Sequence, residues 1–195
     1  MEGRIYICGA FNSLEKSKCR HEVGQLDNDP HFWESPPTWG ICRPDYQNTI
    51  LVGDYAFYVL PKSAPYPQMI FAYLKVKEKT THEEAYKRPE LKSKRMSDKN
   101  PNGNIIVDAN GDYNVHDKNM HRDRFKKIKK NYIIGDEKDS ELLTENKIST
   151  LEPEFMNILK EVFKKDGEKP YDIISKAGRR MNEKQVHKLL NWLKQ

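Results

Sequence analysis

Two hydrophobic rhythms divide this chain. Up to about residue 137 apolar positions mostly alternate with polar ones, and beyond it they recur every three or four residues. Arg4 to Ala10 (RIYICGA) predicts an opening strand ended by glycine. Residues 11–38 carry no period and predict irregular structure, a flap over a pocket, with disorder from Ser13 to Pro30 as the alternative. The stretch from Trp39 to Tyr58, WGICRPDYQNTILVGDYAFY, organises the rest. It sets a Trp, an Arg and a Tyr on a Pro-bearing connection, turns at Gly53-Asp54, and enters a strand from Tyr55 to Leu60. Met69 to Lys77 (MIFAYLKVK) alternates cleanly, with Ile70, Ala72, Leu74 and Val76 on a core face. Met69, Phe71, Tyr73, Lys75 and Lys77 form an aromatic and basic opposite face, which suits a half-covered binding surface.

Thr81-His82-Glu83-Glu84 has capping-box spacing and predicts a short helix to Arg88, stopped by Pro89. Residues 88–104 read as loop. In Asn104 to Val115, Asn110-Gly111 between β-prone segments predicts a hairpin. Arg124 to Ile134 continues as a further strand ending at Gly135-Asp136. Then Leu151, Phe155, Ile158, Leu159, Val162 and Phe163 keep helical spacing, with Pro153 near the start and Gly167 past the end. A weaker helix covers Tyr171 to Ala177, and a third starts at Asn182, capped with Gln185. The pattern predicts a β-rich domain over 1–137 and a helical tail over 138–195.

Composition narrows the classes. Charged residues make up 32% and the apolar set 36%, so a compact core sits under a highly charged surface. The three cysteines, Cys8, Cys19 and Cys42, show no paired spacing, which argues against a disulfide framework and for a reducing compartment. No apolar run reaches membrane-spanning or signal-peptide character, so the expectation is a cytoplasmic protein without membrane association. The net charge of +5 is unevenly placed. From Lys118 to Lys130, KNMHRDRFKKIKK supplies Lys118, Arg122, Arg124, Lys126, Lys127, Lys129 and Lys130 against one Asp, a run suited to phosphate backbones or to a solvated helix face.

Candidate chemistry follows from residue types. A flat ring beside a fixed guanidinium holds a base by stacking and forked hydrogen bonds, which nominates Trp39, Arg43, Tyr55 and Tyr73, with burial in the core as the plain alternative. His116 and His121 lie near Arg122 and Arg124, where they can meet a phosphate or base edge or carry a proton. Asp108, Asp112, His116, Asp117 and His121 are close in sequence, but their spacing is poor for a metal, and neither metal nor cofactor is expected. Cys42 becomes a nucleophile only if a His and an oxyanion hole approach it. No GxxxxGK[ST], GxGxxG or GxSxG motif occurs.

Trp39-Gly40-Ile41-Cys42-Arg43-Pro44 followed by Val52-Gly53-Asp54-Tyr55 resembles the pattern of the nucleotide-modification-associated domain families. Gly103-Asn104-Ile105-Ile106, Tyr113 and His121 look like a downstream segment of the same families, although Tyr55 stands where they usually show Trp. More distantly, the Gly-Asp-aromatic strand is similar to PUA-like barrels (ASCH, EVE and YTH domains). The resemblance spans roughly residues 4–136. It implies an α+β fold, with a mainly antiparallel PUA-like barrel as one candidate, and a role near modified nucleotides. By position it carries over Gly40, Cys42, Arg43, Pro44, Gly53, Asp54, Asn104 and His121.

Three function classes compete. The first is a binding module for a base, modified or not, in DNA or RNA or as a free nucleotide, using Trp39, Arg43, Tyr55, Tyr73, Asn104, His116 and His121 for the base and the basic run for phosphates. The second is an enzyme on nucleotides with His121, Asp54 and Cys42 as acid–base or nucleophilic groups. The third is an interaction protein, homodimeric or bound to a protein partner through its C-terminal helices.

Overall fold

A computed structural model describes residues 1–8, 29–61, 68–101 and 103–195. Cys19, the end of the first expected strand and most of the expected flap lie outside the described residues. In chain order the elements begin with β1 (Gly3–Ile7), β2 (Thr38–Trp39), α1 (Pro44–Thr49), β3 (Tyr55–Val59), β4 (Ile70–Thr80) and α2 (His82–Lys87). Short 3-10 helices cover Pro89–Lys94, Val115–Asp117 and Arg122–Arg124. There follow α3 (Phe125–Ile128), β5 (Tyr132–Gly135), β6 (Glu141–Leu142), α4 (Glu145–Phe163), α5 (Pro170–Ile174), β7 (Arg179–Met181) and α6 (Glu183–Leu193). The fold is α+β. The chain forms two compact units that cut across the division expected at residue 137, and β4 passes from the first to the second after Lys75.

The first unit holds residues 1–8, 53–61, 68–75 and 141–195. Its strands run β7-β1-β3-β4-β6, with β1 parallel to β3 (Gly3↔Tyr55 to Ile7↔Val59) and the other pairs antiparallel. Edge strands β7 and β6 do not pair with each other, so this sheet is open and mixed. The expected closed antiparallel barrel is not what forms. The C-terminal segment is also no appendage, because it supplies β6 and β7 as well as α4 and α6. Those helices bury one apolar stripe each, including Leu151, Phe155 and Leu159 from α4 and Val186, Leu189 and Leu193 from α6. The rings of Phe155 and Trp192 stack with centroids 5.8 Å apart. The capping box at the start of α6 is complete, with Asn182 Oδ1 accepting from Gln185 N and Gln185 Oε1 from Asn182 N, both at 3.0 Å. Helix α4 starts eight residues before Pro153, capped by Thr144, so that proline sits inside the helix.

The alternation of β4 does not mark an open face. Met69, Phe71 and Tyr73 are as buried as Ile70, Ala72 and Leu74, and all of β3 is buried too. Rings large enough to stack a ligand are also large enough to gain most from leaving water, and here burial takes them.

The second unit holds residues 29–52, 76–101 and 103–140. The end of β4 pairs antiparallel with β5, with a bulge between Val76 and Glu78, and β5 pairs antiparallel with β2. One cluster packs Ala85, Leu91, Ile105, Val107, Tyr132 and Ile134, and a second packs Ile41, Met96, Ile106 and Ile128. Phe125 packs against both. The strand expected over 124–134 is helical in its first half. Phe125 and Ile128 are three apart and share one face, while Lys126 and Lys127 between them are exposed. Residues 89–94, expected as loop, form a 3-10 turn that buries Leu91 and Lys94. The hairpin at Gly111 is present in short form: Val107 bridges Tyr113, Gly111 N donates to Asp108 O at 3.1 Å, and Gly111 takes φ +80°, which glycine reaches without strain.

Candidate functional site

The segment Trp39 to Arg43 has few regular backbone bonds of its own, so side chains hold it. Asp29, fully buried, is the central acceptor. Its Oδ1 accepts from Gly40 N at 2.5 Å and from Asn104 Nδ2 at 3.2 Å, and its Oδ2 accepts from Cys42 N. Burial pushes this carboxyl up to about 6, against the opposing pull of the Cys42, Gly40 and Ile41 amides and the Asn104 side chain. On the other side of the same peptide, His82 Nε2 donates to Gly40 O at 2.9 Å while its Nδ1 accepts from Ile106 N at 3.3 Å. Burial lowers His82 to about 4, so the ring is neutral at pH 7. Asn104 closes the network by accepting from Tyr132 Oη at 2.6 Å and donating to Thr38 Oγ1 at 3.0 Å. A Cβ at residue 40 would stand 2.7 Å from Asn104 O and from the Tyr132 ring, so only glycine fits this packing.

Trp39 belongs to this frame. Its ring is completely enclosed, and its indole Nε1 donates to Cys42 O at 2.6 Å. It therefore fixes the loop and offers no open face. Gln47 Nε2 adds a bond to Trp39 O at 3.2 Å. The held loop ends in Arg43, whose backbone takes the left-handed conformation (φ 56°, ψ 57°) before Pro44 opens α1. The Arg43 guanidinium forks onto Asp45, Nε to Oδ1 at 2.9 Å and Nη2 to Oδ2 at 2.6 Å, and lies 4.0 Å over the Tyr46 ring. The Arg43 bonds pull the Asp45 carboxyl below its usual range.

Beside α1 opens a cleft of about 370 Å³ lined by Pro44, Asp45, Asn48, Arg124, Lys127 and Lys130. It brings the end of the Trp39–Pro44 stretch against the basic run, two features 80 residues apart in sequence. Among the described residues its only acidic lining group is Asp45, which Arg43 already engages. Of the run's other cations, Lys118, Arg122 and Lys126 are exposed, Arg122 donates to Asn119 Oδ1 at 3.1 Å, and Lys129 is tied to Glu83 at 3.0 Å.

His121 sits in a separate constellation. Its Nδ1 is 2.8 Å from Oδ1 of the buried Asp117, whose Oδ2 accepts from His121 N at 2.9 Å and from Tyr113 Oη. Burial would raise Asp117, but the bonds from His121 and Tyr113 leave it below the ordinary value. Burial and the Asp117 bond push Tyr113 up to about 12. A carboxylate on Nδ1 fixes the ring and leaves Nε2 to act, the arrangement of an oriented general base.

The remaining expected residues are placed otherwise. Tyr55 and Tyr73 belong to the first unit, buried, with ring centroids 6.4 Å apart; Tyr73 Oη donates to Glu141 at 2.9 Å. Asp54, also in the first unit, accepts from Glu2 N at 2.7 Å, a long-range bond to the residue before β1. His116 Nδ1 is 2.8 Å from Asp98. Among the described residues, Cys8 and Cys42 form no disulfide, and Cys42 is half-buried with both backbone groups committed to the loop. Sequence reading missed Asp29 and His82, and also Lys94, whose buried Nζ donates to His31 Nδ1 at 2.8 Å and Glu34 O at 2.5 Å. Burial lowers Lys94 to about 8.

No family model, no curated protein and no solved structure matches this chain. Among the described residues no helix is long and apolar enough to cross a membrane.

Proposed function

We propose that the second unit is a nucleic-acid-binding module whose cleft beside α1 grips the phosphate backbone. The observation that carries this is the convergence of Arg124, Lys127 and Lys130 on the rigid end of the Trp39–Pro44 stretch. Exposed cations around a concave surface attract a polyanion and gain from counterion release, and a loop pinned by Asp29 and His82 loses little entropy when it is engaged. Lys118, Arg122 and Lys126 extend the path of the backbone. The resemblance to nucleotide-modification-associated domains supports a base or modified base as the feature read. Arg43 reaches such a base or a phosphate by exchanging Asp45 for it, a swap between two anionic or polar partners of one fork. Trp39 takes no part in stacking, since its ring is enclosed.

The test is a titration of single- and double-stranded DNA and RNA over a salt series. Binding should weaken steeply with salt, and an Arg124→Gln/Lys127→Gln/Lys130→Gln variant should reduce the log–log slope by roughly 2–3. Equal affinity at low and high salt would sink the proposal.

A second reading, an enzyme acting on nucleotides, draws on the Asp117–His121 pair. There His121 Nε2 removes or returns a proton while Asp117 keeps Nδ1 protonated. Turnover of a nucleotide mixture by the purified chain, abolished in His121→Ala, is its expected signature; no turnover by the unaltered chain removes it.

A further inference from the structure

A second cavity of the second unit, about 650 Å³, is distinct from the cleft beside α1 and shares none of its lining residues. Tyr86, Lys92, Arg95, Met96, Lys99 and Val115 are among the residues that line it. Arg95 packs its guanidinium 4.5 Å from the Tyr86 ring centroid, which fixes the plane of the fork. Among the described residues its buried Nε has no hydrogen-bond partner, and Nη2 makes one long 3.4 Å bond to Arg88 O. Among the described residues Arg95, Lys92 and Lys99 make no ion pair, although acidic groups also line the cavity. Those acids are already engaged: Asp108 Oδ1 accepts from Asn110 N and Asp112 N at 2.9 Å each, and Glu34 lies 4.0 Å from the Lys94 ammonium. Three lining cations against these two acids leave the cavity net positive. A buried donor without a partner is costly, and a guanidinium held flat on a ring is pre-set for an oxyanion.

The rest of the lining mixes the aliphatic Met96 and Val115 with polar groups of Ser97, Asn100 and Asn114. Met96 is buried, while Val115 is 78% exposed, the most exposed large aliphatic side chain among the described residues, and stands at the cavity. Two aliphatic side chains set among hydroxyl and amide groups, beside three cations without an ion pair, suit a ligand with a polar-edged flat ring at one end and a phosphate at the other. Inorganic phosphate alone would leave most of the volume unfilled.

We infer that this cavity binds a nucleoside monophosphate, with the phosphate on Arg95, Lys92 and Lys99 and the base against Met96 and Val115. The site goes beyond backbone binding in the cleft and would act on a free nucleotide or on one extruded from a strand.

The experiment is calorimetric titration of the full chain with each of the four common ribonucleoside monophosphates, the matching nucleosides and inorganic phosphate. At least one monophosphate should bind, with its nucleoside and inorganic phosphate each about tenfold weaker or more. Lys92→Gln/Lys99→Gln, at two exposed positions, should weaken binding about tenfold without altering thermal unfolding. Arg95→Gln should weaken it further. Failure of every monophosphate to bind, or undiminished affinity in Lys92→Gln/Lys99→Gln, would overturn the inference. So would loss of monophosphate binding in Arg124→Gln/Lys127→Gln/Lys130→Gln, which assigns the ligand to the cleft. Nucleic-acid binding that survives loss of the cavity cations leaves the backbone reading standing on its own.

Discussion

Replacing Asp29 by Asn tests whether burial or hydrogen bonding governs the centre of the second unit. The folded carboxyl keeps its proton up to about pH 6, whereas the unfolded one releases it near 3.8. The native state therefore binds more protons between those values, and the stability this adds is complete below about pH 4 and lost as pH rises through 6. The difference is worth about 3 kcal/mol. His82 works the other way. Its unfolded ring takes a proton near 6.5 and its folded ring only near 4, so its contribution is complete above pH 6.5 and lost on acidification towards 4. That too is about 3 kcal/mol. Both side chains bond to Gly40, one at its N–H and the other at its carbonyl, and their slopes oppose each other over one pH window. In the unaltered protein they nearly cancel. Asp29→Asn removes one of the pair, so between pH 6.5 and 4 the variant should lose about 3 kcal/mol more stability than the parent. At pH 7 it should also start lower by about 1.5–3 kcal/mol, because an amide nitrogen replaces one acceptor oxygen and leaves a buried N–H unmet. Urea unfolding followed by tryptophan fluorescence at several pH values reads both effects. Parallel stability curves for the two proteins would refute the reasoning. A parent that loses more than the variant on acidification would show that the amide donors outweigh burial.

Trp39→Ala should destabilise the second unit by about 3–5 kcal/mol, as expected for an enclosed aromatic, and denaturant midpoints measure it. Trp39→Phe should lose only about 1 kcal/mol, the indole bond to Cys42 O, and keep nucleic-acid affinity; a change of base preference in Trp39→Phe would contradict the enclosed ring. Deleting residues 141–195 should abolish folding of the first unit, because β1 loses β7 and β4 loses β6, and protection of the β1 amides in hydrogen exchange of the truncated chain would contradict this. Asn182→Ala should cost about 1 kcal/mol through loss of the α6 cap, read as a shift in melting temperature.

Much of the fold was legible because it rests on local chemistry. Thr81 and Asn182 cap helices where their spacing said they would, and Gly111 turns the chain between Val107 and Tyr113. Leu151, Phe155 and Leu159 share a buried face at the spacing their positions imply. What failed was the inference from residue type to exposure. Alternation shows that two faces differ, but Phe71 and Tyr73 end as buried as Ala72 and Leu74, and only tertiary packing decides that. The basic run was misread because Phe125 and Ile128 are two apolar positions among lysines, too few to distinguish helical from alternating spacing. Asp29 carried no signal at all: an acidic residue before a proline in a polar stretch looks like a surface turn. His82 was hidden inside the capping pattern that correctly placed its helix. Cationic residues of the cleft were legible as charge, and their partner surface on α1 was not, since 80 residues separate the two.

The interleaving of the two units sets an order of events during synthesis. Every described segment of the second unit lies before residue 141, so its network around Asp29 can close while the C-terminal segment is still on the ribosome. The first unit has no such option. Its strand β1 ends at Ile7, yet one of its two neighbours is Arg179–Met181. Until residue 179 is made that strand has an unsatisfied edge, and a nascent chain stalled before it would carry a finished second unit together with a first unit prone to pair with other chains.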